Sequence, residues 1–558
     1  MDSKNTSDVY MSQTYSPQLP DANYNQEMYK KIHKVENMFK PNLVDFVFAL
    51  VAFALGYLFT RWVLLVFWQG WGVSAFTTLY LLAVTAYLLK KGVFVKSGAA
   101  MFWLAITWLI GFSYALWNNA GFEVIRSLFL FCSATYYIVI ATSNTIMGRT
   151  GNYLLIDGIN ATLLVPFRNF FNQYVSVKVL AERKKYGKIL PSILGIAIAI
   201  ILGAILLPLL ERADAGGFGM IVSFIRTNFR FDFSRIIFHS FIAIPVAAYL
   251  YGLASGAAHK KGIGIIKAES AEKTVAALRV VQPTTLNIVL GAICMLYFVF
   301  IISQMPYFFS AFTGQKPEGW LIYSEFARQG FFELCWIAAI NLAILTISNI
   351  TSKKHRLESR ILKMFNIALA VITLVLIATA FSKMALYIGA YGLTMRRLLP
   401  CIFMVFMAIV FVALIALQKW NFSIVRFSLV VGSVIISIMC LANPDAMVVR
   451  YNADRYLNGT LHEFDMEIVR RAGSAGVLPA IAVYDVMANR AEPDWELKQE
   501  IAWFLTVQKS WESSQLSEHW LSFEARRGAE AIGDRFLPPA PMQEGRGFDV
   551  TASIHQIH

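Results

Sequence analysis

Charged residues are scarce. Of 558 residues, 15% are Asp, Glu, Lys or Arg, while 57% are hydrophobic and 14% aromatic. A soluble domain carries roughly 25% charged residues, so a water-exposed globule is excluded. Cysteine is rarer still. The five (Cys132, Cys294, Cys335, Cys401 and Cys440) all lie in apolar stretches and none forms a C-x-x-C pair. That excludes a disulfide framework and a thiolate metal site, and leaves cysteine as a small hydrophobe. The eight histidines are scattered, and H-E-x-x-H, G-x-S-x-G and the P-loop are missing. "GAAHKKGIGIIKAESAEK" has glycine and lysine without the spacing that cradles phosphate. No catalytic residue, metal or cofactor is expected, and His239 reads as a bonder between helices. An apolar signal-peptide core is also missing: residues 1–40 are polar, end in a basic cluster and read as a disordered tail.

What the chain does have is long apolar runs, and a mean hydropathy of +0.55. Runs of about 20 residues cross a hydrocarbon core of ~30 Å. The runs are continuous rather than alternating, which argues against a β-barrel. The fold class is all-α: a polytopic transmembrane helix bundle over 41–444. About eleven spans are expected: 43–67, 71–89, 98–117, 122–142, 189–210, 236–256, 287–309, 329–350, 361–383, 398–417 and 422–443. Lys and Arg in alternate connections number about 25 against about 8. This predicts a cytoplasmic N-terminus and, with eleven spans, an extracytoplasmic C-terminal region.

The net charge of +14 is spread along cytoplasmic membrane flanks, so anionic headgroups explain it better than nucleic acid. The segment 160–188, aromatic and basic, predicts a helix in the headgroup layer. Phe167, Phe170 and Phe171 would hold it, and Arg168, Lys178, Arg183, Lys184, Lys185 and Lys188 would meet anionic lipid. Residues 216–235 predict a shorter counterpart on the other side, with a plain solvated loop as the alternative for both segments. From residue 445 the balance reverses, to 17 acidic and 11 basic residues. Helical apolar spacing punctuated by Gly, Pro and Asn predicts a small helical soluble domain over 445–535, outside the membrane, followed by a disordered tail over 536–558. Its Trp495, Trp503, Trp511 and Trp520 would serve a core or a protein partner.

One acid interrupts "QGFFELCWIAAINLAIL": Glu333. With the predicted topology it lies about four residues, or ~6 Å, below the outer interface. Lys383 reaches the same level, Arg61 and Arg126 fall in outer helix halves, Arg396 and Arg397 open the tenth span, and Asn443, Asp445 and Arg450 follow the last. Lys383, Tyr387 and Tyr391 share one helical face, and Glu325 and Arg328 form an i, i+3 pair. A charge at a helix centre costs about 2.5–3.5 kcal/mol on insertion scales, so these groups are expected to share a polar outer vestibule. The alternative is arginine and lysine snorkelling to water.

"QPTTLNIVLGAICMLYFVFIISQMPYFF" (282–309), "YSEFARQGFFELCWIAAINLAIL" (323–345), "SKMALYIGAYGLTMRRLLP" (382–400) and "NPDAMVVRYNADR" (443–455) follow one another in this order. Together with "WLSFEARRGAEAI" (520–532), they resemble a family of bacterial multi-pass membrane proteins of unknown function, the four-one-seven-three family and its relatives, over the C-terminal half. The resemblance implies a bacterial cytoplasmic membrane and no established activity. On matching positions it implies Glu325, Arg328, Glu333, Tyr387, Tyr391, Arg396, Asn443, Arg450 and Asn452 as characteristic polar residues.

Two readings follow: a permease-like bundle with an outer vestibule, or an envelope sensor or assembly protein acting through its C-terminal helices. Lipid-linked group transfer stands third. Reporter fusions test the topology. A reporter joined before residue 40 is expected to be active only in the cytosol, and one joined after residue 536 only outside it.

Overall fold

The computed structural model describes residues 39–65, 70–118, 120–146, 150–151, 153–181, 233–260, 277–313, 331–352, 359–488, 494–514, 521–533 and 535–536, with isolated positions between 195 and 273. Glu325, Arg328, Arg183, Lys184, Lys185, Lys188, the tail 1–38 and the tail after 536 lie outside the described residues. So, almost entirely, do the expected span 189–210 and the segment 216–235.

Among the described residues every regular element is helical, and ten helices are long and apolar enough to cross a membrane. They coincide with ten of the eleven expected spans. The first four are α1 (Leu43–Phe59, continued by a π-wound turn Thr60–Leu64), α2 (Trp71–Lys90), α3 (Gly98–Leu116) and α4 (Glu123–Ala141). Three short helices follow: α5 (Leu154–Ile159), joined by the π-wound Asn160–Leu164 to α6 (Val165–Arg168), and α7 (Asn172–Ala181). The other spans belong to α8 (Phe233–Ala258), α9 (Pro283–Thr313), α10 (Phe331–Thr351), α11 (Arg360–Tyr391), α12 (Met395–Leu417) and α13 (Ile424–Ala442). Beyond them come α14 (Pro444–Leu457), α15 (Met466–Ala472), α16 (Ser474–Ala488), α17 (Trp495–Ser514) and α18 (Phe523–Ile532).

Local signals start and stop these helices. Asn42 accepts the Asp45 amide proton at 3.0 Å while the Asp45 carboxylate accepts from the Asn42 amide at 2.8 Å, a capping box that opens α1. Ser97, Ser359 and Ser423 cap α3, α11 and α13. Gly392, at φ +76°, stops α11. Asn443, at φ +52°, both ends α13 and caps α14, and Pro444 occupies the first helical position.

Contacts between the helix termini define two ends. The near end gathers Asn42, Lys91, Asn144 and His259; the far end gathers Trp117, Gly121, Leu441 and Asp445. One buried cluster unites α1–α4 and α8 with Met439 and Cys440 of α13; a second unites α9–α12. Lipid tails are as apolar as leucine, so close packing rather than water exclusion must join helices here. Small residues supply it. A Cβ on Gly56 of α1 would stand 2.7 Å from the Ala243 carbonyl oxygen of α8, and one on Gly252 of α8 only 2.5 Å from that of Pro166. The helices α14–α18 form a third cluster at the far end, around Val449, Phe464, Val477, Phe504 and Ile532.

The segment expected in the headgroup layer packs against the bundle on one side. Gln173 donates to the Ala49 carbonyl at 2.8 Å, and the Ser176 and Tyr251 hydroxyls share a 2.6 Å hydrogen bond. Leu155, Ile159, Leu163, Phe167 and Phe171, four residues apart, form an exposed apolar stripe on the other side, and Arg168 and Lys178 are also exposed.

Substituting Gly56→Leu must push α1 from α8, because the obstacle is backbone. Overpacking of this kind costs about 1–3 kcal/mol. The purified variant is expected to melt several degrees below the parent in detergent, whereas Gly98→Leu, where a Cβ meets open space, leaves the midpoint within about a degree.

Candidate functional site

Where α3 hands over to α4, the chain makes only a short 3-10 turn, Ala120–Phe122. So tight a connection leaves the Trp117 and Asn118 carbonyls without helical partners. Arg126, one turn into α4, supplies them: Nη1 donates to the Trp117 oxygen at 3.1 Å and Nη2 to that of Asn118 at 2.6 Å. Its guanidinium lies 3.6 Å from the Tyr114 ring centroid, and the side chain is wholly buried. A charge read from sequence as an outer-leaflet cation thus closes the end of a helix. Next to it the Trp117 indole donates to the Leu441 carbonyl at 3.0 Å, tying α3 to α13.

The joint between α13 and α14 carries the next carboxylate. Asp445 is buried and accepts from the Gly121 amide at 3.1 Å. A Cβ on Gly121 would come within 2.6 Å of its Oδ1, so the approach depends on glycine. Asn443, buried beside it, donates to Glu524 of α18. Glu524 also accepts from the Ser474 hydroxyl at 3.4 Å, and Ser474 accepts from Asn118 at 3.3 Å. A continuous hydrogen-bonded chain therefore runs from the α3–α4 turn through α16 and α18 to the α13–α14 joint.

Beside Asp445 and Arg126, which do not line it, is a cavity of about 150 Å³ walled by Trp117, Asn443, Arg450, Ser474, Glu524 and Arg527, among others. A cavity of this size accommodates a molecule such as benzene. Burial pushes Asp445 up to about 6 and Glu524 up to about 7 against the hydrogen bonds they accept; Asp445 raises Glu524 further. The wall thus offers a protonatable acceptor, and the exposed Arg450 and Arg527 offer guanidinium donors. Among the described residues no group of three or more His, Cys, Asp and Glu is placed to hold a metal.

The residues expected to share one vestibule divide among three places. Asn443 and Arg450 line this cavity. Tyr387, Tyr391 and Arg397 form a clasp at the end of α11. There Arg397 lies 4.1 Å from the Tyr387 ring centroid and donates to the Tyr391 carbonyl at 2.8 Å and to that of Gly392. Asn452 completes the clasp with two 2.7 Å bonds to the Leu393 backbone. Arg396 is exposed. Glu333 of α10 and Lys383, one turn before Tyr387 on α11, are electrostatic neighbours. Glu333 is exposed on the bundle surface while Phe331 and Leu334 beside it are buried.

A second polar cluster, at the near end, has no counterpart in the sequence reading. Asp45, wholly buried, accepts from the Tyr87 hydroxyl at 2.7 Å and Lys91 at 3.0 Å, with His259 Nε2 at 3.1 Å. The N-x-x-D spacing of Asn42 and Asp45 was the available signal. Ser474, Glu524 and Arg527 were likewise unmarked as site residues.

Residues 104–483 match the family described as "Domain of unknown function (DUF4153)", and the chain belongs to that family. This corrects the resemblance drawn from short motifs, which pointed to the four-one-seven-three family and to the C-terminal half. The match reaches into α3, and the closing motif at 520–532 lies beyond it. No curated protein and no solved structure matches the chain.

The two raised carboxylates give stability a definite sign with pH. A group whose pKa is higher folded than unfolded stabilises fully below its unfolded value, 3.8 for Asp445 and 4.5 for Glu524, and loses that contribution as pH rises through about 6 and 7. Each contributes on the order of 1–3 kcal/mol. The protein is expected to melt several degrees higher at pH 5 than at pH 8. In the Asp445→Asn, Glu524→Gln double variant that difference should shrink by at least half in a thermal scan.

Proposed function

We propose that this DUF4153-family protein is an envelope sensor of the bacterial cytoplasmic membrane, with its N-terminus in the cytoplasm and its far end facing outward. A small anionic or zwitterionic solute enters the far-end pocket, and its presence sets how firmly α14–α18 are held on the bundle. One observation carries this reading: the pocket takes its walls from both parts, Trp117 and Asn443 from the spans and Ser474, Glu524 and Arg527 from the C-terminal helices. A solute bound between two packed bodies shifts their equilibrium by its differential affinity for the two arrangements. The lysine and arginine excess on the near-end connections supports the orientation. The class of solute follows from two guanidiniums beside a carboxylate.

A permease-like activity is the second reading. Glu333 and Lys383 favour it, since ionisable groups on neighbouring spanning helices mark solute or ion paths.

Two experiments separate the readings. Full-length protein in nanodiscs, titrated with inorganic phosphate, small carboxylates and amino acids, is expected to gain thermal stability with at least one of them. Arg450→Ala with Arg527→Ala should weaken that binding at least tenfold and Glu333→Gln should leave it unchanged. Solute uptake in liposomes that disappears in Glu333→Gln, with no ligand bound at the pocket, would instead establish transport.

A further inference from the structure

A larger cavity, about 430 Å³, lies within the membrane-spanning part, walled by α1, α2, α4, α6 and α8 and by Phe170. Its lining is almost wholly apolar and aromatic. Of the four polar side chains there, three have their hydroxyls bonded inside the protein: Thr77 to the Val73 carbonyl at 2.8 Å, Thr135 to Cys132 at 3.0 Å and Tyr249 to Thr162 at 3.0 Å. The cavity therefore offers little to a polar solute, and a permeating ion would find almost no ligands.

Its shape follows from where the lining residues sit. Along α1 it reaches Phe59 and Val63, on the last and π-wound turns toward the far end; Val73 of α2 lies at the same end. On the other side it reaches Phe167 and Phe170, on and just after the short α6. Along α2 the lining runs from Val73 to Tyr80, about 10 Å of helix, so the space runs with the spans. It also opens sideways: Phe131 of α4 and Phe167 of α6 line it and yet are 39% and 59% exposed. In a bilayer, exposed phenylalanines on spanning helices are open to lipid.

We propose that this cavity is a built site for one acyl chain of an anionic phospholipid of the near-end leaflet. The chain would pass between Phe131 and Phe167 and lie along Tyr249 and Val246. Arg168, exposed on α6 between Phe167 and Phe170, with the exposed Lys178 on α7, supplies the cations for the phosphate. The stripe Leu155, Ile159, Leu163, Phe167 and Phe171 holds this short helical segment at the depth where headgroups meet chains. Val63, which lines the cavity, lies in the π-wound turn Thr60–Leu64, and interruptions of this kind recur at functional sites.

The test uses full-length protein in nanodiscs containing phosphatidylglycerol or phosphatidylcholine with a photoreactive diazirine in the acyl chain. Crosslinks are mapped by mass spectrometry. Enrichment of at least about fivefold at Phe131 and Thr135 of α4 and at Tyr249 and Val246 of α8 over the exposed Leu128 of α4 is expected, with phosphatidylglycerol labelling more than phosphatidylcholine. Ala134→Trp fills the cavity and should abolish the enrichment. Val246→Phe, a smaller intrusion, should reduce it and serves if the tryptophan variant does not fold. Arg168→Glu should erase the preference for phosphatidylglycerol while chain labelling persists. Labelling no greater in the cavity than at Leu128, or unchanged in the filled variant, would overturn the site. Equal labelling by both lipids in the parent would overturn its anionic character.

Discussion

A carboxylate removed from water must be given donors or be protonated, and the architecture at both ends of this bundle is arranged around that constraint. Leaving such a group unsatisfied costs several kcal/mol, comparable with the whole margin of stability of a domain. At the near end Asp45 draws α1, α2 and the end of α8 together through Asn42, Tyr87, Lys91 and His259. At the far end Asp445 and Glu524 draw the α3–α4 turn, the α13–α14 joint, α16 and α18 together. Between these ends the helices meet mostly through small residues and contacts of carbon on carbon, interrupted by the apolar cavity among α1, α2, α4, α6 and α8, and these contacts set distance but little registry. The polar groups supply the registry.

The two ends differ in how completely the constraint is met. Asp45 is surrounded by donors, two of them basic side chains. Asp445 and Glu524 have neutral donors, with the Arg126 charge nearby but occupied with the Trp117 and Asn118 carbonyls. The first arrangement locks; the second leaves protonation open near neutral pH. That difference is what favours the far end, rather than the better-bonded near end, in the proposed sensor reading.

The spans were legible because a 20-residue apolar run has few other uses; the caps Asn42, Ser97, Ser359 and Ser423 went unread although they act on residues only three positions away. The helical face joining Lys383, Tyr387 and Tyr391 was legible too, since α11 continues unbroken to Tyr391. The clusters were not. Asp45 meets Tyr87, Lys91 and His259 across 42, 46 and 214 residues, and Asn443 meets Glu524 across 81. Periodicity carries no information at such separations. Depth alone placed Glu333 with Asn443 and Arg450, but residues at one depth can face different sides of a bundle.

The length of α11 has a consequence of its own. Its 32 residues rise about 48 Å, whereas the hydrocarbon layer is ~30 Å thick. The helix must lean or stand proud of the lipid, and its final turns carry the clasp of Tyr387, Tyr391 and Arg397 that Asn452 ties to α14. A thicker membrane would cover more of this post and a thinner one would increase its tilt or protrusion. The lean or protrusion of α11 therefore sets where α14 is anchored.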